Sequence, residues 1–294
     1  MAETRSKPVP PELPAKKRFH HARWIIYTLV AAVVVLPYIL PAPPMKFIPS
    51  DTVKKVYDRI EGLPAGSHVL LAFDFDPSSQ AELEPMARAT LKHCFKKGLV
   101  PVIMTHWSTG IDLDKRICES TAAESAKLYG RPIQNGKDWV FLGYRPGATM
   151  LIVAMGENLK TAFEKDFYGQ STQSMEALRG VDSLKNFPAA IDFAAGDSVS
   201  WWIVWGGDKY NLPLAAGTTA VSAPDLYPFY QSKQLIGFMG GLRGAADYES
   251  LVAEPGGATK GMLAQSAAHV LMVLLIVVAN VRLVMGRSAR KPKD

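Results

Sequence analysis

Two apolar stretches, Trp24–Leu40 and Met262–Met285, bracket this chain, and each keeps its basic residues on the side of the nearer chain end. The pairing restricts the fold more than composition does, because about 20 apolar residues in a helix match the hydrocarbon thickness of a bilayer. The tail before the first stretch carries Arg5, Lys7, Lys16, Lys17, Arg18 and Arg23 against Glu3 and Glu12. The tail after the second carries Arg287, Arg290, Lys291 and Lys293 against Asp294, with Arg282 at its border. Lys and Arg beside a membrane segment stay on the cytoplasmic side. The expected layout is a double-pass protein of the plasma (inner) membrane with both termini cytoplasmic. It comprises a basic tail over 1–23, a transmembrane helix with a Pro-rich exit over 24–44, a periplasmic or extracellular domain over 45–261, a second transmembrane helix over 262–285 and a second basic tail over 286–294. The first stretch is short, but a long polar tail precedes it and no Ala-x-Ala site follows, so it reads as an uncleaved anchor.

The formal charge of +6 belongs to the ends. Between Met45 and Gly261 there are 22 Lys and Arg against 24 Asp and Glu, so the central region is slightly acidic. It has no basic stripe with interleaved aromatics, and nucleic acid is not expected as a partner. Two cysteines, Cys94 and Cys118, make no disulfide framework. No Asn-x-Ser/Thr acceptor occurs, which fits a bacterial source better than a glycosylated ectodomain.

Within the central region one unit recurs. Ser50-Asp-Thr opens a short helix with Val53, Val56, Tyr57 and Ile60 on one face. His68–Asp76 follows as an apolar run without alternation, as in a strand buried on both faces. Ser79-Gln-Ala-Glu82 has the form of a capping box, and Leu83, Met86, Ala87, Leu91, Cys94 and Phe95 continue at helical spacing to Gly98. Further strands are expected over 99–104, 139–144, 189–194 and 214–218, with helices over 112–129, 148–163, 199–205 and 224–235. A Gly-rich bend over 237–244 leads into a last short helix. Strands alternating with helices predict an α/β, Rossmann-like open parallel sheet of about five strands, flanked by the two transmembrane helices. The flavodoxin-like order 2-1-3-4-5 is preferred; it would place the first two helices, and with them Cys94 and Cys118, on opposite faces.

Ligands of such sheets collect at the carboxyl ends of the strands. Asp74, Asp76 and Ser78 follow the first strand, Thr105 and His106 the second, Arg145 the third, Asp197 the fourth, and Thr218 ends the fifth. These side chains suit a small polar or anionic ligand. The run Leu71-Ala-Phe-Asp74-Phe-Asp76-Pro-Ser78 resembles the first motif of haloacid dehalogenase-like phosphatases. That resemblance implies Asp74 as nucleophile, Asp76 as acid/base, Thr105 at the phosphate and Asp197 near a magnesium ion. Ser78 stands where that family has Thr or Val, the turn leaves no room for its flap, and no second acid follows Asp197 at the family's distance. The alternative is that Asp74 and Asp76 orient a strand-to-helix turn. No Gly-x-Gly-x-x-Gly, Gly-x-Ser-x-Gly, Walker loop or Cys/His metal spacing is present, and no resident cofactor is expected.

The second membrane stretch carries Gln265, His269 and Asn280. His269 and Asn280 are three turns apart on one face, and polar side chains in hydrocarbon face protein rather than lipid. The leading expectation is a non-catalytic subunit, structural or ligand-sensing, in a bacterial membrane assembly, in contact with the bilayer and other membrane subunits. The alternatives are a metal-dependent phosphohydrolase and a small-polar-ligand binding domain.

Overall fold

A computed structural model of the chain describes residues 16–40 and 48–288. The Pro-rich exit at 41–44 and most of the two basic tails lie outside the described residues. The chain divides into two units, one of residues 43–262 and one of residues 1–42 with 263–294.

The first unit is an α/β domain. Helix α2 (Asp51–Glu61) buries Val53, Val56 and Ile60, the face its spacing predicted. Strand β1 (His68–Asp74) leads to α3 (Gln80–Lys97), β2 (Val100–Thr105), α4 (Ile111–Tyr129) and β3 (Val140–Tyr144). The next crossover holds α5 (Thr149–Glu157), the one-turn α6 (Leu159–Ala162) and a long connection, then β4 (Ala189–Ala194). Helix α7 (Ser198–Trp201) runs into a π-helical segment, Trp202–Asp208; β5 (Leu214–Thr218), α8 (Tyr227–Gln231), β6 (Phe238–Gly240) and α9 (Gly241–Val252) complete the domain. Helix α3 ends at Gly98, which takes the left-handed conformation (φ 68°) and donates its N–H back to the last turn, a position a residue with a Cβ enters at a cost.

All five pairings in the six-stranded sheet are parallel, and the order is β3-β2-β1-β4-β5-β6. This corrects the flavodoxin-like preference to the Rossmann-type order, and about five strands to six. Strand β6 was missed because three residues inside a Gly-rich run carry no readable period. Each strand is buried on both sides. Val69, Leu71 and Phe73 of β1 face a core shared with α2, α3, α4 and α9, whereas Leu70 and Ala72 face one shared with α5, the 175–187 connection and the π-helical segment. Since β1-α3-β2 and β2-α4-β3 step in the same direction, right-handed crossovers put α3 and α4 on one face. Cys94 and Cys118 therefore share a core rather than lying on opposite faces, and both are free thiols. The Ser79–Glu82 capping box does not form: Ser79 makes no side-chain cap, and Glu82 instead accepts the Ala220 N–H at 2.8 Å.

The other unit contains α1 (Lys16–Ile39) and most of α10 (Gly257–Ser288). Among the described residues, one helix, Gly257–Met285, is long and apolar enough to cross a membrane. The expectation of two such helices is corrected to one: the apolar part of α1, Arg23–Ile39, is a shorter apolar helix of 17 residues, at the low end of spanning lengths. From Val270 to Met285 the large apolar side chains of α10 are mostly exposed, among them Val270, Leu274, Val281 and Met285.

Candidate functional site

The order of the strands reverses between β1 and β4, and the carboxyl ends of the strands at such a switch point are where ligands of open parallel sheets bind. Asp74 closes β1, Thr105 closes β2, and Asp192 lies inside β4, where β1 and β4 pair Ala72 with Asp192 and Asp74 with Ala194. The two-residue period puts Asp74 and Asp192 on one face of adjacent strands, one step apart along the diagonal.

His106, directly after β2, takes hold of Asp74 twice. Its backbone N–H donates to Oδ1 at 2.7 Å and its Nδ1 meets Oδ2 at 2.8 Å. Asp74 is fully buried and the imidazole nearly so. The Thr105 hydroxyl donates to the Phe73 carbonyl at 2.7 Å and receives the Trp107 N–H at 2.9 Å, which ties β2 to β1 just below the site. Asp192 accepts the Ser198 hydroxyl at 2.8 Å. The π-helical segment brings Trp202 edge-on to His106 with ring centroids 5.7 Å apart, and Trp201 approaches it at 6.0 Å. Trp107 lies across Gly196, whose missing side chain makes the room: a Cβ there would stand 3.1 Å from the indole.

A third buried acid, Asp114 in the first turn of α4, approaches from the opposite face of the sheet. Burial first, and then the Asp74 charge, hold the Asp114 carboxyl well above the usual carboxylate range, with Thr105 opposing. Burial and the Asp74 charge likewise push Asp192 up, against the Ser198 hydrogen bond. His106 engages both oxygens of Asp74, and the two acids beside it are driven to keep their protons.

Eleven buried side-chain atoms of the described residues complete no hydrogen bond, and six belong to this group: His106 Nε2, Trp107 Nε1, both oxygens of Asp114, Asp192 Oδ1 and Trp202 Nε1. Unsatisfied polar groups are costly in a folded interior. Their concentration at the topological switch point makes this group the candidate site.

The structure brings together only part of the set read from sequence. Asp74, Thr105 and His106 meet here. Asp76 does not join them: its Oδ1 receives the Ser78 N–H at 2.9 Å and the Ser78 hydroxyl, and these two bonds hold its carboxyl below the usual range. This is the turn-orienting role for Asp76 and Ser78. Arg145 is exposed and lies over the Phe163 ring at 5.7 Å. Asp197 is exposed and caps α7 through its backbone carbonyl, which accepts the Ser200 and Trp201 N–H groups. Thr218 is buried at the end of β5. In the other unit Gln265, His269 and Asn280 are exposed on α10, and the Asn280 amide donates to the Ile276 carbonyl of its own helix at 2.9 Å.

Asp192, Asp114, Ser198 and the tryptophans were missed as a group. Asp192 left a signal, a lone acid inside the apolar strand Ala-Ala-Ile-Asp-Phe-Ala. Asp114 left none, since acids in a first helical turn are ordinarily solvated.

A magnesium ion does not fit this arrangement. Both oxygens of Asp74 are engaged by His106, Asp76 is folded onto Ser78, and among the described residues no group of three His, Cys, Asp or Glu side chains is placed to hold a metal. Comparison with known proteins found no matching family model, no matching curated protein and no matching solved structure.

Proposed function

We propose that this chain is a non-catalytic, membrane-anchored subunit whose α/β domain lies outside the cytoplasm and serves a structural or ligand-sensing role in a bacterial membrane assembly. The observation that carries the reading is α10, a continuous helix with an exposed apolar surface long enough to cross a bilayer. In the double-pass arrangement α1 spans as well, its shorter apolar part accommodated by local thinning or by flanking residues. The basic excess at both ends keeps the termini cytoplasmic. His269 and the free carbonyl side of Asn280 then face a partner helix from another subunit. The closed state of Asp74 supports a binding or scaffolding role over nucleophilic chemistry.

Two measurements test this. Protease added to spheroplasts should digest the α/β domain and spare tags on both ends; digestion of both tags with the domain protected overturns the topology. Replacing His269 and Asn280 together by Leu should reduce co-recovery of other membrane proteins after gentle detergent extraction, with the domain still folded. Interhelical hydrogen bonds of this type contribute roughly 0.6–2 kcal/mol each.

One observation favours the phosphohydrolase reading: β1 lies between β2 and β4, and Thr105 and Asp197 follow the flanking strands. For Asp74 to act as nucleophile His106 must first release it. Mg²⁺-dependent phosphate release by the wild-type protein, lost in a folded Asp74→Asn variant, would establish that reading in place of the first.

A further inference from the structure

Helix α3 ties together the two helices that begin and end the α/β domain: α2, which follows α1 in the chain, and α9, which precedes α10. His93, on α3 and almost without solvent exposure, touches both. Its Nε2 meets Glu61 Oε2 of α2 at 2.8 Å, and its Nδ1 meets the Tyr248 hydroxyl of α9 at 2.8 Å. Tyr57 of α2 stacks on the imidazole with ring centroids 4.7 Å apart and meets the Tyr248 ring edge-on at 6.1 Å. The last turn of α3 repeats the link, since Lys97 lies 3.3 Å from Glu61 and Lys96 donates to the Val252 carbonyl at 2.8 Å.

The hydrogens in this link depend on the charge of His93. A carboxylate accepts only, so Nε2 carries a hydrogen, and in the neutral imidazole Nδ1 accepts from the Tyr248 hydroxyl. Both ring nitrogens and the hydroxyl then have partners. A proton added at Nδ1 makes that nitrogen a donor, and the Tyr248 oxygen must turn from donor to acceptor. Its own hydrogen then needs a new acceptor, although Tyr248 is fully buried. The Thr90 hydroxyl, one turn earlier on α3, faces Tyr248 but completes no hydrogen bond as the helices stand. Either α9 shifts against α3 to reach it or a buried donor goes unmet, and both weaken the link.

We propose that His93 is an acid-operated joint: neutral, it fastens α9 to α3 and α2; protonated, it reverses the Tyr248 bond and loosens α9, the helix that leads into α10. The groups facing the imidazole are Glu61 and Tyr57 from α2, Tyr248 from α9, and Lys96 and Lys97 from its own helix. Burial is the largest influence on the imidazole and lowers its pKa from the ordinary value; Glu61 opposes this, and the two lysines add to it. The unfolded chain therefore takes up this proton first. The His93 contribution to stability is present above about pH 6.5 and is lost as pH falls below that value. Glu61 stays ionised there, because the His93 hydrogen bond, and then Lys97, hold its carboxyl below the usual range against some desolvation. The joint is separate from the Asp74 group and does not depend on which side of a membrane the domain occupies.

The test uses the full chain in detergent, with hydrogen exchange over α9 followed from about pH 7.5 to about pH 5 and corrected for the intrinsic pH dependence of exchange. Protection of α9 should fall about threefold or more on acidification, the size of a pKa difference of about half a unit. His93→Gln, which keeps a donor for Glu61 and an acceptor for Tyr248 but takes up no proton, should abolish that fall. His68→Gln, at a second histidine whose pKa burial lowers, should leave it in place. Glu61→Gln, at a half-exposed position, removes the carboxylate that faces the imidazolium and should move the fall to lower pH by about half a unit or more. This arm decides the matter where His93→Gln fails to fold. Unchanged protection of α9 in the wild type across the range, the same fall in folded His93→Gln, or an unshifted fall in Glu61→Gln overturns the proposal.

Discussion

His106 grips both oxygens of Asp74, one through its backbone N–H at 2.7 Å and the other through Nδ1 at 2.8 Å. A carboxylate accepts only, so Nδ1 carries the proton and Nε2 is left as the open nitrogen. Removing Asp74 strands two buried donors at once. Asp74→Ala should cost about 3 kcal/mol, in the range for breaking a buried paired charge, and Asp74→Asn less because one acceptor survives. Urea unfolding of the three proteins would show this order; an Ala variant as stable as the Asn variant would mean that the contact contributes little.

The two acids beside Asp74 give a pH dependence of definite sign. Asp114 and Asp192 have folded-state pKa values above the unfolded value of about 3.9. Above that pH and up to the folded pKa, the native state binds more protons than the unfolded chain, so these groups lower stability as pH rises through the window. His68 and His93, whose pKa values burial lowers, act the other way below about pH 6.5. The difference between variant and wild type isolates the acids. Asp114→Asn and Asp192→Asn should each raise the thermal midpoint at pH 8 relative to pH 5, and a constant difference between the two pH values would show that neither acid is protonated in the native state.

The sheet's interior was readable because β1, β2, β4 and β5 are short apolar runs bounded by turn residues, and strands buried on both faces leave that mark. The order of strands was not readable, since each pairing is decided by packing between segments far apart in sequence. Glu82 shows the same limit locally. Its spacing from Ser79 is that of a capping box, yet the partner it takes is the N–H of Ala220, just after β5 and distant in sequence. The site was half legible for a related reason: Asp74, Thr105 and His106 follow strands directly, whereas Asp192 sits within one and Asp114 on a helix whose approach depends on the fold.

The corrected strand order bears on the thiols. Cys94 and Cys118 lie in one core, both without solvent exposure to speak of, and burial pushes the Cys94 thiol up to about 12 and Cys118 well above its usual value. The thiolate is the reactive form, so both should resist alkylation in the native protein and react after denaturation. Rapid native labelling at either position would show that the shared core opens readily. A native disulfide between them would show that α3 and α4 pack differently from this arrangement.

Glu249 is the point at which α9 secures the start of α10. The carboxylate is buried and accepts the N–H groups of Gly256 at 2.9 Å, Ala258 at 2.9 Å and Thr259 at 2.8 Å, together with the Thr259 hydroxyl at 2.7 Å. These are amide groups at a helix start that have no partner within the helix, and a negative charge there also meets the favourable end of the helix dipole. Glu249→Gln keeps an acceptor but loses the charge; Glu249→Ala loses both and leaves the buried N–H groups of Ala258 and Thr259 and the part-buried one of Gly256 unmet. The Ala variant should lose about 2 kcal/mol and the Gln variant about 1 kcal/mol. Hydrogen exchange over residues 254–261 should accelerate in the same order, with α3 little changed. Unchanged exchange there in Glu249→Ala would mean that the first turn of α10 is held by the packing of Ala258 alone.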